Sequence, residues 1–251
     1  MAGNTSRPGA TVVSRTVALL TAFDAVHPRL SLSELSRRAD LPLPTTHRLV
    51  GELTRLGALS RTVSGEYVVG RRLWDVGLLA PVQTGLREVA SPFLQDLYAA
   101  TLATVHLSVR DGAQVLYLDR LSGNRSVPVV SKVGARLPLH ATGVGKVLLA
   151  HAPEEIQAKV LSSLKRITPY TITQPSRLRV QLDRVLIDGY ATTVEEMTPG
   201  ACSVAVPIQR AAEVVAALGI VVPSLKRDKA RLVSALKVAA HGISRSLTGN
   251  G

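Results

Sequence analysis

Apolar residues recur at three- and four-residue steps from Val12 to Ala25 (Val13, Val17 and Leu20, with Leu19 and Phe23 alongside), which predicts an amphipathic helix ended by His27-Pro28. Next, Ser31 and Glu34 stand at the spacing of a capping box, and Leu32, Leu35 and Ala39 then share one face. Asp40-Leu41-Pro42 stops this helix, because the residue before a proline is pushed out of the α region. Another helix restarts at Pro44, whose fixed φ and missing N–H suit the first helical position. Leu49, Leu53 and Leu56, with Thr46 and Val50 beside them, form its apolar stripe, and Gly57 closes it. Leu59 to Arg61 and Glu66 to Val69 read as strands across a turn at Ser64-Gly65. Helix, turn, helix and ribbon together predict a winged helix-turn-helix over residues 12–70.

Beyond the ribbon, residues 71–85 read as a linker helix carrying Trp74, expected to pack at the domain junction. Leu86, Val89, Phe93, Leu94 and Leu97 keep a helical step. The period then changes to two. Thr104 to Arg110 and Gln114 to Leu121 alternate around Asp111-Gly112, a hairpin signal, with His106 read as a structural strand residue. Val127 to Val133 reads as a further strand, placed at an edge or a strand start by Pro128. A glycine-bearing loop, Pro138 to Lys146, feeds a helix to Ala150. Helices are expected from Ala152-Pro153, over Arg177 to Asp188 (closed by Gly189) and over Asp228 to Leu247. Tyr190 to Glu195, Ser203 to Ile208 and Val214 to Val222 read as strands. Strands grouped with covering helices predict an α+β domain over residues 86–251.

The helix starting at Pro44 offers Thr45, His47 and Arg48 on its outer face, with no acidic residue before Glu52. The major groove admits one α-helix, and a helix-turn-helix presents the start of its second helix to base edges. Candidate DNA contacts are therefore Thr45, His47 and Arg48, with Pro44 and Thr46 beside them. Ser33 on the preceding helix, Arg55 at the end of the second and Arg61 on the ribbon complete the set. The plain alternative is a helical pair whose Arg and Thr residues are its wetted side.

Charge permits this reading without locating it. The net charge is +12, with a sequence pI near 10.5, which suits nucleic acid or another anionic partner. Residues 1–80 carry 10 basic against 6 acidic side chains and residues 81–251 carry 20 against 12, so both parts are about equally basic. Aromatic content of 3% argues against a single-strand binder, which needs stacking platforms. Hydrophobic content of 46% and a mean hydropathy of +0.21 predict folded cores. Cys202, the only cysteine, excludes an internal disulfide and a multi-thiolate zinc cage. No apolar run is long enough to span a bilayer, and no signal peptide is read, so a cytoplasmic protein is expected. Residues 1–11, small and polar, read as a tail.

The second domain offers little catalytic chemistry. Gly145-Lys146 fails as a phosphate loop: no glycine stands five places earlier, and Val147 replaces the magnesium-binding hydroxyl. Close helix packing is one reading of Lys146; an effector pocket lined by this loop is the other. Glu195 and Glu196 would face opposite sides of a strand. His140 and His151 lack metal-ligand spacing, Ser203 lacks a nucleophile elbow, and Cys202 fits a small buried hydrophobe. No cofactor or metal is expected. A small-molecule enzyme with an accessory helical domain and a ligand-free architectural DNA binder remain the alternatives.

Four stretches, LPLPTTHRLVGELTRLG, GEYVVGRRLWDVG, LPLHATGVGKVLLA and GYATTVEEMTPGACSVAVPI, stand in this order and resemble the signature stretches of IclR-type bacterial transcriptional regulators. The resemblance extends from about residue 12 nearly to the end of the chain. It implies dimers or tetramers with N-terminal winged heads on a near-palindromic operator, and a GAF-like α+β domain binding a small effector. It also implies that the connector over 71–90 carries effector-domain changes to the heads. Carried over by position, the pocket would be lined by Val129, Leu137, Gly143, Val144, Val194, Ala201 and Ser203. Two departures mark this chain. Its thiol stands one place early in Gly200-Ala-Cys202-Ser203, and an acid found near Val194 in some relatives is missing unless Glu195 or Glu196 takes its place. A mostly apolar lining suits an organic or aromatic acid.

Overall fold

The computed structural model describes residues 11–24, 26–78, 84–123 and 126–249. The expected polar tail lies outside the described residues as far as residue 10. The chain forms two compact units, residues 1–82 and 83–251.

In the first unit the Thr11 hydroxyl accepts the Ser14 N–H and starts α1 (Val12–Leu20). α1 ends short of the expected Ala25, because Asp24 folds the following chain: its carboxylate accepts the N–H groups of Val26 and His27, each at 2.8 Å. Ser31 and Glu34 form the expected capping box at the start of α2 (Leu32–Ala39). Asp40 then reverses the backbone at φ 52°. Helix α3 (Leu43–Arg55) begins one residue before Pro44, with Pro42 as its N-cap. Gly57, at φ 73°, provides the left-handed turn that ends it. Leu56 caps α3 beyond the part covered by α1 and α2 and is exposed, so the buried stripe is Thr46, Leu49, Val50 and Leu53.

Strands β1 (Leu59–Arg61) and β2 (Tyr67–Val69) pair antiparallel as the wing. Leu30 adds a bridge that the sequence pattern does not reveal: its N–H donates to Tyr67 O at 3.0 Å, and the Tyr67 N–H donates to Leu30 O at 2.8 Å. The wing therefore hangs from the loop before α2, and Leu30, Leu59 and Tyr67 join Leu19, Leu35, Leu49 and Leu53 in one core. A Cβ at Gly70 would stand 2.2 Å from Gly57 O, which is why glycine closes the wing against the end of α3. The expected linker begins as α4 (Arg71–Leu78). Residues 79–83, the middle of that expectation, lie outside the described residues. Within its own unit Trp74 is not a core residue: it is 56% exposed, with the Arg71 guanidinium 5.9 Å from its ring centre.

The second unit opens with α5 (Thr84–Thr101) and the hairpin β3 (Thr104–Asp111) and β4 (Gln114–Leu121), turned at Gly112. The strand expected over 127–133 does not form. Ladder pairing with β4 begins only past Gly134, in β5 (Arg136–Pro138). Upstream, Pro128 lacks a donor, and the segment is pinned by a side chain, Ser131, to His106. A 3-10 turn (Leu139–Ala141) leads to α6 (Gly143–Ala150), α7 (Glu154–Leu161) and α8 (Pro175–Asp188). Strands β6 (Ala191–Val194), β7 (Cys202–Arg210) and β8 (Glu213–Val222) precede α9 (Lys229–Gly249). The sheet has six strands in the order β5-β4-β3-β8-β7-β6, all neighbours antiparallel.

Alternation along the strands builds two cores, one on each face. Val105, Leu107, Val204, Val206 and Leu218 meet Leu94, Leu236 and Ile243 of α5 and α9. On the opposite face Val115, Ala205 and Ala217 meet Val147, Leu149 and Leu178 of α6 and α8. The unit is α+β, as the sequence predicts. Among the described residues no helix is long and apolar enough to cross a membrane.

Candidate functional site

Two regions carry the candidate chemistry. In the first unit, α3 exposes Pro44, His47 and Arg48, with Thr45 half-buried beside them. No side chain caps α3, so its first amides are free for solvent or a phosphate oxygen. Ser33 is exposed on α2. Arg55 is exposed but donates to Glu52 at 2.8 Å, and that ion pair lowers the glutamate's pKa. Arg61 is drawn along the wing: its Nε donates to Gly65 O at 3.2 Å and its guanidinium sits 5.7 Å from the centre of the Tyr67 ring. Thr46 requires a correction. It is 0% exposed, and its hydroxyl donates back to Pro42 O at 3.2 Å. One residue after Thr45, it lies about 100° round the helix, on the core side, and is withdrawn from the candidate DNA face.

In the second unit the sheet's α6 face opens into a cavity of about 480 Å³ including its mouth. Val129, Leu137, Gly143, Val144, Ala201 and Ser203 all line it, so six of the seven positions expected for the pocket come together there. Val194 does not. It is 53% exposed, because alternation along β6 turns its neighbour Thr193 inward instead. Thr193 Oγ1 and Ser203 Oγ lie 2.6 Å apart. Gly143 rests directly on this pair: a Cβ there would stand 2.5 Å from Ser203 Oγ. The Thr142 side chain caps α6 by accepting the Gly145 N–H at 3.1 Å. The amides of Gly143 and Val144, by contrast, have no intrahelical acceptor, and both residues line the cavity. Hydroxyls and a helix start thus form one polar end of a mostly apolar chamber, suited to a small anion such as a carboxylate.

The other polar group is His106, with Ser131 and Tyr117. His106 Nε2 and Ser131 Oγ lie 2.7 Å apart, and Tyr117 meets the imidazole edge-on at 4.9 Å between ring centres. Burial, aided by the nearby Arg120 charge, pushes the His106 pKa down to about 3, so the ring is neutral near pH 7. Burial likewise raises the Tyr117 phenol. His106 is the strand residue the sequence predicts, and the same ring borders the cavity. Ser131 carried no sequence signal, because its partner is 25 residues away. Thr193 was accessible through the parity of β6, had the strand's phase been set from Ala191.

Lys146 does not line this cavity. It is 1% exposed and donates to Glu196 Oε1 at 2.5 Å and Gln181 Oε1 at 2.6 Å. Glu195, at φ 55°, turns the other way and accepts the Gly200 N–H at 2.8 Å, so the two carboxylates diverge. Burial raises the Cys202 pKa, which keeps it a thiol.

A winged helix-turn-helix followed on one chain by an α+β unit with a ligand-sized chamber defines a transcriptional regulator built from a DNA-binding head and a sensor. The chain belongs to the IclR family of bacterial transcriptional regulators. The family model described as the IclR helix-turn-helix domain matches residues 12–62, and that described as bacterial transcriptional regulator IclR C-terminal matches residues 80–245. The transcriptional regulator BhcR of Paracoccus denitrificans is 34% identical over 89% of this chain and 81% of its own. KipR of Bacillus subtilis is 32% identical over 78% of this chain and 79% of its own. An IclR homolog from Microbacterium hydrocarbonoxydans, solved in complex with 4-hydroxybenzoate, superposes with a TM-score of 0.90 at 35% identity, covering 95% of this chain and 100% of that one.

Proposed function

We propose that this regulator binds a near-palindromic operator as a dimer or tetramer in the cytoplasm and releases or grips it according to a compact monocarboxylic acid, aromatic or branched, held in the cavity of the second unit. The observation that carries the reading is the chamber itself: apolar walls of Val129, Leu137 and Val144 close on one polar end made by Ser203, Thr193 and the start of α6. The 4-hydroxybenzoate bound by the Microbacterium homolog is an acid of this kind. On the head, Thr45, His47 and Arg48 are the residues we assign to the major groove, with Pro44 at their base and Ser33, Arg55 and Arg61 at the phosphates. The effector acts by favouring one arrangement of heads over another, since equal affinity for both shifts nothing. We further propose that the second unit is not catalytic: its relatives are named as regulators, and its adjacent carboxylates point apart.

A thermal-shift screen of small aromatic and aliphatic monocarboxylates, followed by gel shifts on a footprinted operator with each hit, tests this reading. The expected result is a stabilising acid that changes operator affinity and is recovered unaltered. An operator response with no acid-dependent stabilisation would reject the sensor half.

A further inference from the structure

We infer that Ser131, oriented by His106, reads a hydrogen-bonding substituent on the effector at the end remote from its acid group. This rests on the acid-binding reading above and adds the class of acid: one carrying a hydroxyl or similar neutral polar group across the ring or chain.

Sheet register separates the two polar ends. His106 on β3 pairs with Gly219 on β8, and Gly219 pairs with Ala205 on β7, the strand that carries Ser203. Two strand spacings, roughly 10 Å, therefore lie between the strands of His106 and Ser203. The first turn of α6 reaches from β7 onto β8: a Cβ at Gly143 would meet Ser203 and Ala205 of β7, and one at Gly219 of β8 would meet Val144 at 2.7 Å. Gly143 at the start of α6 thus stands with Ser203 and Thr193 at one end, and His106, two strands over, holds Ser131 at the other. Residues from both ends line the same cavity.

The pair at the far end has one hydrogen-bonding function to spare. A neutral imidazole nitrogen either accepts the Ser131 O–H, leaving a lone pair on Oγ, or donates to Oγ, leaving the O–H. In both cases Ser131 keeps a group for a ligand, and a ligand hydroxyl can answer either. Ser131 is buried, so no bulk water compensates that group when an apolar ligand end is set against it. The Tyr117 edge contact holds the imidazole, which makes His106 a positioning residue and Ser131 the contact.

Isothermal titration of the full chain with benzoate, 3-hydroxybenzoate and 4-hydroxybenzoate tests this. At least one hydroxylated acid is expected to bind about fivefold or more tighter than benzoate. Ser131→Ala should erase that preference, with benzoate bound at least as tightly as by the parent, because its uncompensated contact with the Ser131 hydroxyl is gone. His106→Gln, neutral with both a donor and an acceptor, should keep part of the preference, and His106→Phe should lose it. Ser131 lies outside the strands, so its alanine variant still tests the proposal if the His106 variants melt. Equal binding of all three acids to the parent chain overturns the inference alone. So does a Ser131→Ala variant that weakens benzoate and hydroxybenzoates alike, because Ser131 would then hold the acid group. Failure of every acid to bind overturns the aromatic-acid reading together with this one.

Discussion

Lys146 Nζ and Glu196 Oε1 meet at 2.5 Å inside the second unit, and the pair ties α6 to the loop that follows β6. The first turn of α6 and residues Met197 and Thr198 of that loop both border the cavity. Burial pulls the lysine's pKa below its usual range, and the Glu196 charge opposes the pull. The Thr168 and Thr171 hydroxyls donate to the carbonyls of Glu195 and Glu196, each at 2.7 Å, so the loop is held from two sides. Removing one partner strands a buried charge, whereas removing both does not. Lys146→Met is therefore expected to cost about 3–5 kcal/mol, and Lys146→Met with Glu196→Leu to recover most of it. Urea unfolding of the two variants checks this; equal losses would show that the charge pairing is not what matters.

Acid should weaken the second unit through its buried histidines. The folded pKa of His106 is about 3 against an ordinary 6.5, and burial lowers His140 in the same direction. The unfolded chain takes up protons first, so their full contribution is present above pH 6.5 and is lost as pH falls toward the folded values. His106 alone accounts for about 2 kcal/mol lost between pH 6.5 and pH 5, at roughly 1.4 kcal/mol per unit. Denaturant unfolding across that range should show a smaller pH slope in His106→Gln; an unchanged slope would contradict the assignment.

On the DNA face, neighbouring residues are expected to behave oppositely. Arg48→Ala should weaken specific operator binding by about 1–3 kcal/mol if it meets a base, or mainly reduce the salt slope if it meets phosphate. Thr46→Val should leave operator affinity unchanged, because Thr46 is buried behind α3. Fluorescence anisotropy over a salt series reads both.

Gly143→Val should abolish the effector response and leave effector-free operator binding intact. Even a Cβ at this position stands 2.5 Å from Ser203 Oγ, on the polar end of the cavity. Titration with the acid and a gel shift without it separate the two functions. Loss of DNA binding in a folded variant would contradict the division of labour between the units.

Ser31→Ala should lower the stability of the first unit by about 1 kcal/mol. The mutation removes the acceptor of the Glu34 N–H and a partner of the Glu34 carboxylate. A thermal melt with the second unit's transition as internal reference gives the difference.

Local chemistry was written in the chain. The capping box at Ser31 and Glu34, the proline start of α3, the left-handed glycines at 57, 65 and 112 and the two-residue alternation of β3 and β4 are each set by a few neighbouring residues, and each stands where the pattern put it, with α3 starting one residue earlier. Tertiary structure decided what depends on distant partners. It attached the wing through Leu30 to Tyr67, placed Val194 outside and Thr193 inside, kept Thr46 with the buried stripe and off the outer face, and assigned the sheet edge to 136–138 in place of 127–133. It also joined Ser131 to His106 across 25 residues and Lys146 to Glu196 across 50. Backbone propensity and capping act within a turn or two, whereas the phase of a strand and the partner of a buried polar group are fixed only when the sheet and its helices close on each other.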